Sequence, residues 1–324
     1  MKKKSKSLGI VGCGSVVRKF YIPFIHNLEE IELRYITDVN QKSAEELSSI
    51  LNCEYIHLDK LIKKADIIII ATPPNTHYEL IKKALKKDKI VVCEKPFVGS
   101  LSEAKELINL SEKQNSQLYI AHIRRCFPSV ILARKLISTG IMGELKEIFL
   151  QEGGKFNYNS QSNYVYENKL GGVLLDTGSH TIDTALFITK LDEKNITNIA
   201  INKFWVSSKE PSHEIKVQLS LNTIDKPIKL NIHLSRLRVL ANKISFIFEN
   251  GEINLPAEFS NYIKVTGKSS SSRLYSNDPY NDFMDLFPIQ YHHMFNKNSE
   301  MNNNFKAERF TNLTNILETI LNNN

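Results

Sequence analysis

Five short apolar runs in the first 120 or so residues constrain this chain most. They are Leu8–Val11, Leu33–Thr37, Ile67–Ala71, Ile90–Cys93 and Leu118–Ala121. Each is rich in β-formers and nearly unbroken by charge. Strands with one wet face alternate polar and apolar residues, whereas near-continuous apolar runs belong to parallel strands covered on both faces. Amphipathic stretches lie between them, such as Gln41–Leu51, Thr76–Lys87 and Ser100–Lys113. In the last, Leu101, Ala104, Leu107, Ile108 and Ser111 recur at helical spacing, and Ser100 or Ser102 suits the N-cap. Strand and helix alternating in this way predict an α/β fold: a doubly wound parallel sheet of the Rossmann type with right-handed crossovers.

The pattern changes after Arg124. Pro128–Ser138 reads as a helix ending at Gly140. Longer alternating segments follow: Leu145–Glu152, Ile196–Ser207, Glu214–Asn222, Pro227–Ser235, Ile244–Glu249 and Glu252–Leu255. Period-two alternation with turn residues such as Asn250-Gly251 between runs predicts antiparallel pairing. One helix, about Ser179–Ile188, interrupts them, and another closes the chain over about Phe305–Leu321. Gly267–Asn281 is polar and Ser-rich and reads as a mobile loop. The 324 residues therefore divide into a Rossmann domain, 1–123, and a second α+β domain, 124–324, with an open, mostly antiparallel sheet.

Charge narrows the function classes. The net charge is +7, but Lys2, Lys3, Lys4 and Lys6 supply four of those charges from the extreme N-terminus. No aromatic-basic motif accompanies them, so a nucleic-acid partner is not expected. No apolar run approaches the length of a membrane span. Leu8–Gly14 is too short and Gly-rich for an export signal. Cys13, Cys53, Cys93 and Cys126 are scattered without a C-x-x-C pair, which predicts neither zinc nor a disulfide framework and fits a reducing, cytoplasmic setting.

Four motifs carry chemistry. Gly12-Cys13-Gly14-Ser15-Val16-Val17 follows the first strand. Two glycines there let backbone N–H groups approach a pyrophosphate at a helix start. Val17 fills the slot usually held by a small residue. Asp38 ends the second strand, 21 residues beyond Val17, close to the roughly 20 expected for a ribose-binding acid. A carboxylate there accepts from ribose hydroxyls and repels a 2′-phosphate, which favours NAD over NADP. Ala71-Thr72-Pro73-Pro74-Asn75-Thr76-His77 ends the next long strand. Strand ends are where doubly wound sheets bind ligands. Asn75 also suits a helix cap, and His77 a solvated first turn.

Cys93-Glu94-Lys95-Pro96 follows another buried strand. A lysine at a strand end can donate to an oxygen that becomes alkoxide or carbonyl. The fourth motif runs Gly171-Gly172-Val173-Leu174-Leu175-Asp176-Thr177-Gly178-Ser179-His180, with Asp183 one turn on. If the stretch is helical, Asp176 and His180 share a face. A carboxylate beside an imidazole sets its tautomer and raises its basicity. By itself the same stretch also reads as a capping Asp and a core histidine.

In this order and spacing the four motifs resemble those of the Gfo/Idh/MocA oxidoreductases, the group of glucose-fructose oxidoreductase and inositol dehydrogenase. Arg124-Arg125-Cys126-Phe127-Pro128 is similar to that family's entry into its second domain. The resemblance implies a nicotinamide cofactor on the first domain, held by Gly12, Gly14, Ser15, Val16, Asp38, Thr72, Pro73, Asn75, His77, Glu94 and Lys95. It implies a sugar, cyclitol or nucleotide-sugar presented by the second domain, and a homodimer or homotetramer. By position, Lys95 hydrogen-bonds the reacting oxygen, His180 is the general acid/base, and Asp176 binds substrate and assists it. Tyr21 departs from the family, standing where many relatives place His.

Arg124, Arg125, Lys155, Tyr158, Tyr164 and Tyr166 are further candidates to line a substrate cleft, with Arg124, Lys155 and Tyr164 named beside Lys95, Asp176 and His180 as substrate-binding. Tyr291, His292 and His293 cluster near the C-terminus without a third ligand at metal spacing and read as loop or helix surface. The expected activity is interconversion of a secondary alcohol and a ketone by hydride transfer. Its rivals are an enzyme with tightly held NAD that oxidises and reduces within one cycle, and a catalytically silent NAD-binding regulator.

Overall fold

In the computed structural model, residues 5–28, 30–155, 172–208 and 212–323 are described. The early apolar runs form strands β1 (Lys6–Val11), β2 (Ile31–Thr37), β3 (Glu54–Tyr55), β4 (Ile67–Ile70), β5 (Ile90–Glu94) and β6 (Leu118–Ala121). They make one parallel sheet in the order β3-β2-β1-β4-β5-β6. All four residues of β4 are buried, as an all-isoleucine strand inside a doubly covered sheet must be. Helices α1 (Gln41–Ile50), α2 (Leu58–Lys64), α3 (His77–Leu85) and α4 (Leu101–Lys113) connect the strands. Ser100 caps α4: its hydroxyl accepts from the Glu103 amide, and the Glu103 carboxylate accepts from the Ser100 amide. The strand order reverses between β1 and β4, so the crevice beyond their carboxyl ends is the expected ligand site of this unit.

The second sheet has eight strands, β7 (Leu145–Gly153), β8 (Ile196–Val206), β9 (Glu214–Thr223), β10 (Pro227–Ser235), β11 (Lys243–Phe248), β12 (Gly251–Pro256), β13 (Tyr262–Gly267) and β14 (Ser271–Tyr275). Their order is β14-β13-β12-β11-β7-β10-β9-β8, antiparallel except for the β7–β10 pair. One face carries Ile215, Val217, Leu219 and Leu221 of β9 and Ile228, Leu230, Ile232 and Leu234 of β10, all buried. Helices α5 (Pro128–Ser138) and α6 (Ser179–Ile188) belong to this unit.

Three expectations change. Ser271–Tyr275, read as part of a mobile loop, pairs with β13 as the exposed edge strand β14. The chain ends on helix α8 (Thr311–Leu321), preceded by 3₁₀ turns at Asn302–Phe305 and Ala307–Phe310, so the closing helix starts later than its pattern suggested. Tyr291 lies on α7 (Leu286–Phe295) and is fully buried, not on a surface; His293 is half-buried, and of the three only His292 is exposed. The Tyr291 ring meets those of Tyr21 and Phe24, an apolar contact that local patterning does not reveal. Consistently, the described residues gather into two units. One holds the chain up to His122 together with Met284–Thr314, and the other holds the remainder. No helix among the described residues is long and apolar enough to cross a membrane.

Candidate active site

The glycine turn leaves β1 with Gly12 at φ +105°, a conformation L side chains rarely adopt. A Cβ there would run into the carbonyl group of Ala71. Gly14 is different, because a Cβ built on it meets nothing within 4 Å. The fold itself does not require that glycine; the open space suits a group brought close to the backbone. Asp38 locks the turn to the end of β2: one carboxylate oxygen accepts from the Cys13 amide at 2.6 Å and the other from the Asn40 amide at 2.8 Å. Arg18 donates to the Cys13 carbonyl at 3.1 Å. Ser15 and Val16 lead into a short π-type turn, Val17–Tyr21, in place of a long helix. Burial, with Asp38 next, pushes the Cys13 thiol up to about 12, so it stays protonated. These groups fit a dinucleotide pyrophosphate and ribose.

The loop after β4 is stitched by the Thr72 and Thr76 hydroxyls, 2.7 Å apart, and by Thr76 donating to the Pro73 carbonyl at 2.8 Å. Asn75 is exposed and does not cap α3, whose first turn has no side-chain cap. His77 corrects the sequence reading more sharply. It is fully buried, with Nδ1 2.9 Å from the Pro96 carbonyl and 3.1 Å from that of Phe97, and Nε2 2.9 Å from that of Thr72. It braces the loop after β4 against the loop after β5. Both ring nitrogens lie against backbone carbonyls, and the neutral ring can donate to only one side. Burial pushes its pKa down, against the three carbonyls.

Lys95 stands half-buried on that second loop, where its amide bonds the Glu94 carboxylate at 3.2 Å and the Lys95–Pro96 peptide is cis. The Tyr21 hydroxyl donates to the other Glu94 oxygen. Burial raises the Glu94 carboxyl above its ordinary value. The departure at Tyr21 is therefore absorbed by a hydrogen bond to the loop that carries Lys95.

In the second unit, Asp176 and His180 are both half-buried. Asp176 belongs to a π-type turn, Leu174–Gly178, which runs directly into α6, where His180 is the second residue. Such turns recur where a helix carries function. The turn packs closely on the sheet: a Cβ at Gly178 would come 2.8 Å from the Leu234 side-chain end on β10. Arg236, at the end of β10, donates to Asp176 at 2.8 Å. Sequence reasoning missed Arg236; its only local signal is a cation following a predicted strand.

The remaining candidates separate. Arg124 forms a two-pronged pair with Glu152, both bonds 2.7 Å, and Thr181 donates to the same carboxylate. Its charge is thus already met within the fold rather than free for substrate. Arg125 is fully buried, bonded twice to Asp183 at 2.9 and 2.6 Å and once to Asp192 at 3.2 Å, under the ring of Phe187. It does not line a cleft, and Asp183 is its counter-ion rather than part of the proton-transfer group. Lys155 is exposed. Tyr158, Tyr164, Tyr166 and Gly171 lie outside the described residues.

Comparison with known proteins agrees with the fold of the two units. The family description "oxidoreductase family, NAD-binding Rossmann fold" matches residues 6–122, and "GFO/IDH/MocA C-terminal domain" matches residues 130–215. An uncharacterized oxidoreductase of Schizosaccharomyces pombe is 33% identical over 187 residues, 55% of this chain and 50% of that protein. The chain spans about half the length of such fission-yeast relatives. The glucose-6-phosphate 3-dehydrogenase of Bacillus subtilis is 24% identical over 85% of this chain and 76% of its own. Among solved structures, a 3-ketoreductase from Actinomadura kijaniata, in complex with NADP and TDP-benzene, superposes with a TM-score of 0.77. It is 14% identical over 98% of this chain and 97% of that one, a likeness of fold.

Proposed function

The chain belongs to the Gfo/Idh/MocA oxidoreductases, and from that premise we propose that it interconverts a secondary alcohol and a ketone on a sugar, cyclitol or nucleotide-sugar. The observation that carries the reading is the glycine turn. A Cβ on Gly14 would meet nothing within 4 Å among the described residues, beside a carboxylate fixed by two backbone amides. Gly12, Gly14, Ser15, Val16 and Asp38 hold the dinucleotide. Asp38 prefers NAD, because its negative charge opposes a 2′-phosphate and its two amide bonds keep it from turning away. The nicotinamide, when bound, takes or returns the hydride.

The chain's own residues handle the proton. Lys95 donates to the reacting oxygen and stabilises the charge that grows there. His180 takes the hydroxyl proton in oxidation and returns it in reduction. Asp176 binds substrate and orients the imidazole. The names of the B. subtilis and A. kijaniata proteins, a 3-dehydrogenase and a 3-ketoreductase, support a ring carbinol as the reacting group.

The test uses the full chain with NAD and a panel of D-glucose 6-phosphate, D-glucose, myo-inositol and a TDP-sugar, followed by absorbance of the reduced nicotinamide. Turnover is expected on at least one. Lys95→Ala and His180→Ala should each abolish it while dinucleotide binding survives. Full turnover in both variants would show that these groups do not carry the reaction.

A further inference from the structure

Accepting the roles given above to Asp176 and His180, we propose that Arg236 is a positioning residue of the same site. It holds Asp176 ionised and turned one way, and through Asp176 it sets the basicity of His180. Arg236 is only 5% exposed, and a guanidinium removed from water needs a counter-charge. It finds one in Asp176, 2.8 Å away, and its backbone amide is tied to the His213 carbonyl at 2.7 Å. The donor therefore has little freedom.

The acceptor is arranged differently. The Asp176 side chain is 27% exposed, against 3% for that of Arg236. The cation is sealed and the anion still reaches the surface. A buried arginine whose only purpose was packing would be served by a buried acid, as Arg125 is by Asp183. The turn that carries Asp176 also packs against β10 and α6. The other charged groups around it are consistent with this role. Arg124 lies within electrostatic range of Asp176 but is neutralised by Glu152. Arg238, beyond the end of β10, is neutralised by Glu214. His180 stands four residues along the same helical stretch. Among the described residues, Arg236 is thus a cation hydrogen-bonded to Asp176.

A cation at this distance favours the carboxylate over the acid. An ionised, fixed Asp176 orients the imidazole and supports its protonated form. Removing Arg236 leaves Asp176 easier to protonate and free to turn, so His180 loses the anion that supports its protonated form and its titration moves to lower pH.

The test compares Arg236→Met, Arg236→Lys and Asp176→Asn in the full chain. It uses the sugar panel with NAD, an NAD titration, and an NMR pH titration of the His180 ring. We expect Arg236→Met to bind NAD normally, to lose kcat by about tenfold or more, and to show the His180 titration displaced downward. Arg236→Lys, which keeps the charge but not the planar fork, should fall between. If Arg236→Met does not fold, the lysine variant alone decides: wild-type kcat and an unmoved titration would overturn the proposal. Wild-type behaviour of Arg236→Met beside an inactive Asp176→Asn would refute the positioning role and leave the catalytic reading intact. Full turnover in Asp176→Asn would refute both.

Discussion

Two acids on one helical stretch, Asp176 and Asp183, each meet an arginine, and the two pairs differ in exposure. Arg125 and Asp183 have side chains with 0% exposure, and Asp192 joins them from within the same buried cluster. Arg236 is nearly as deep, yet its partner Asp176 is 27% exposed. The bonding differs with the exposure: Arg125 donates twice to Asp183 and once to Asp192, and Arg236 donates to Asp176 at 2.8 Å. A pair closed on both sides serves the fold, and a pair open on the anion's side leaves that anion able to act on something else. The first unit repeats the contrast in glycine. Gly12 is imposed by the Ala71 carbonyl and its own φ, whereas at Gly14 the fold makes no demand.

The sharpest way to break the comparison is at the closed pair. Arg125→Met removes the cation bonded to Asp183 while Asp192 keeps Arg134 at 3.9 Å, and breaking a buried pair typically costs about 3–5 kcal/mol. Chemical denaturation should show a loss of that order. Arg236→Met, with a partly solvated partner, should lose clearly less stability and more activity. Equal losses in the two variants would mean that exposure does not separate their roles.

The glycines offer a smaller effect. Gly12→Ala places a Cβ on a carbonyl at a positive φ and should cost on the order of 1–3 kcal/mol. Gly14→Ala should leave stability within about 0.5 kcal/mol but weaken NAD binding by on the order of tenfold, measured by fluorescence titration. A destabilised Gly14→Ala that bound NAD normally would reverse the assignment.

What the sequence made legible follows the range of the interaction. The strands of the first sheet announce themselves because burial on both faces requires continuous apolar runs, and Ser100 and Glu103 form a cap within three residues of each other. β14 gave no such signal, since every residue of it is exposed. The site divides in the same way. Gly12, Asp38, Lys95, Asp176 and His180 could be picked from local motifs. Arg236 could not, because it joins Asp176 from 60 residues away, and nothing near it in the chain marks the pairing. Arg125 was misplaced for a like reason: its partners on α6 and just beyond it turn an apparent cleft cation into a buried strut.

Two histidines give the finest test of closed against open. His77 is sealed among three backbone carbonyls, whereas His180 is half-buried. Burial lowers the His77 pKa in the fold, while the unfolded chain takes up a proton below its ordinary value of 6.5. Its share of stability is therefore present above 6.5 and lost as pH falls from there toward the depressed folded value. One proton can contribute a slope of at most about 1.4 kcal/mol per pH unit. Denaturation midpoints measured down through this range should show that slope in the native chain and in His180→Gln. His77→Gln, which keeps a donor but cannot titrate, should lose it. If the slope instead vanished in His180→Gln, the half-open histidine would be the one that the fold must keep neutral.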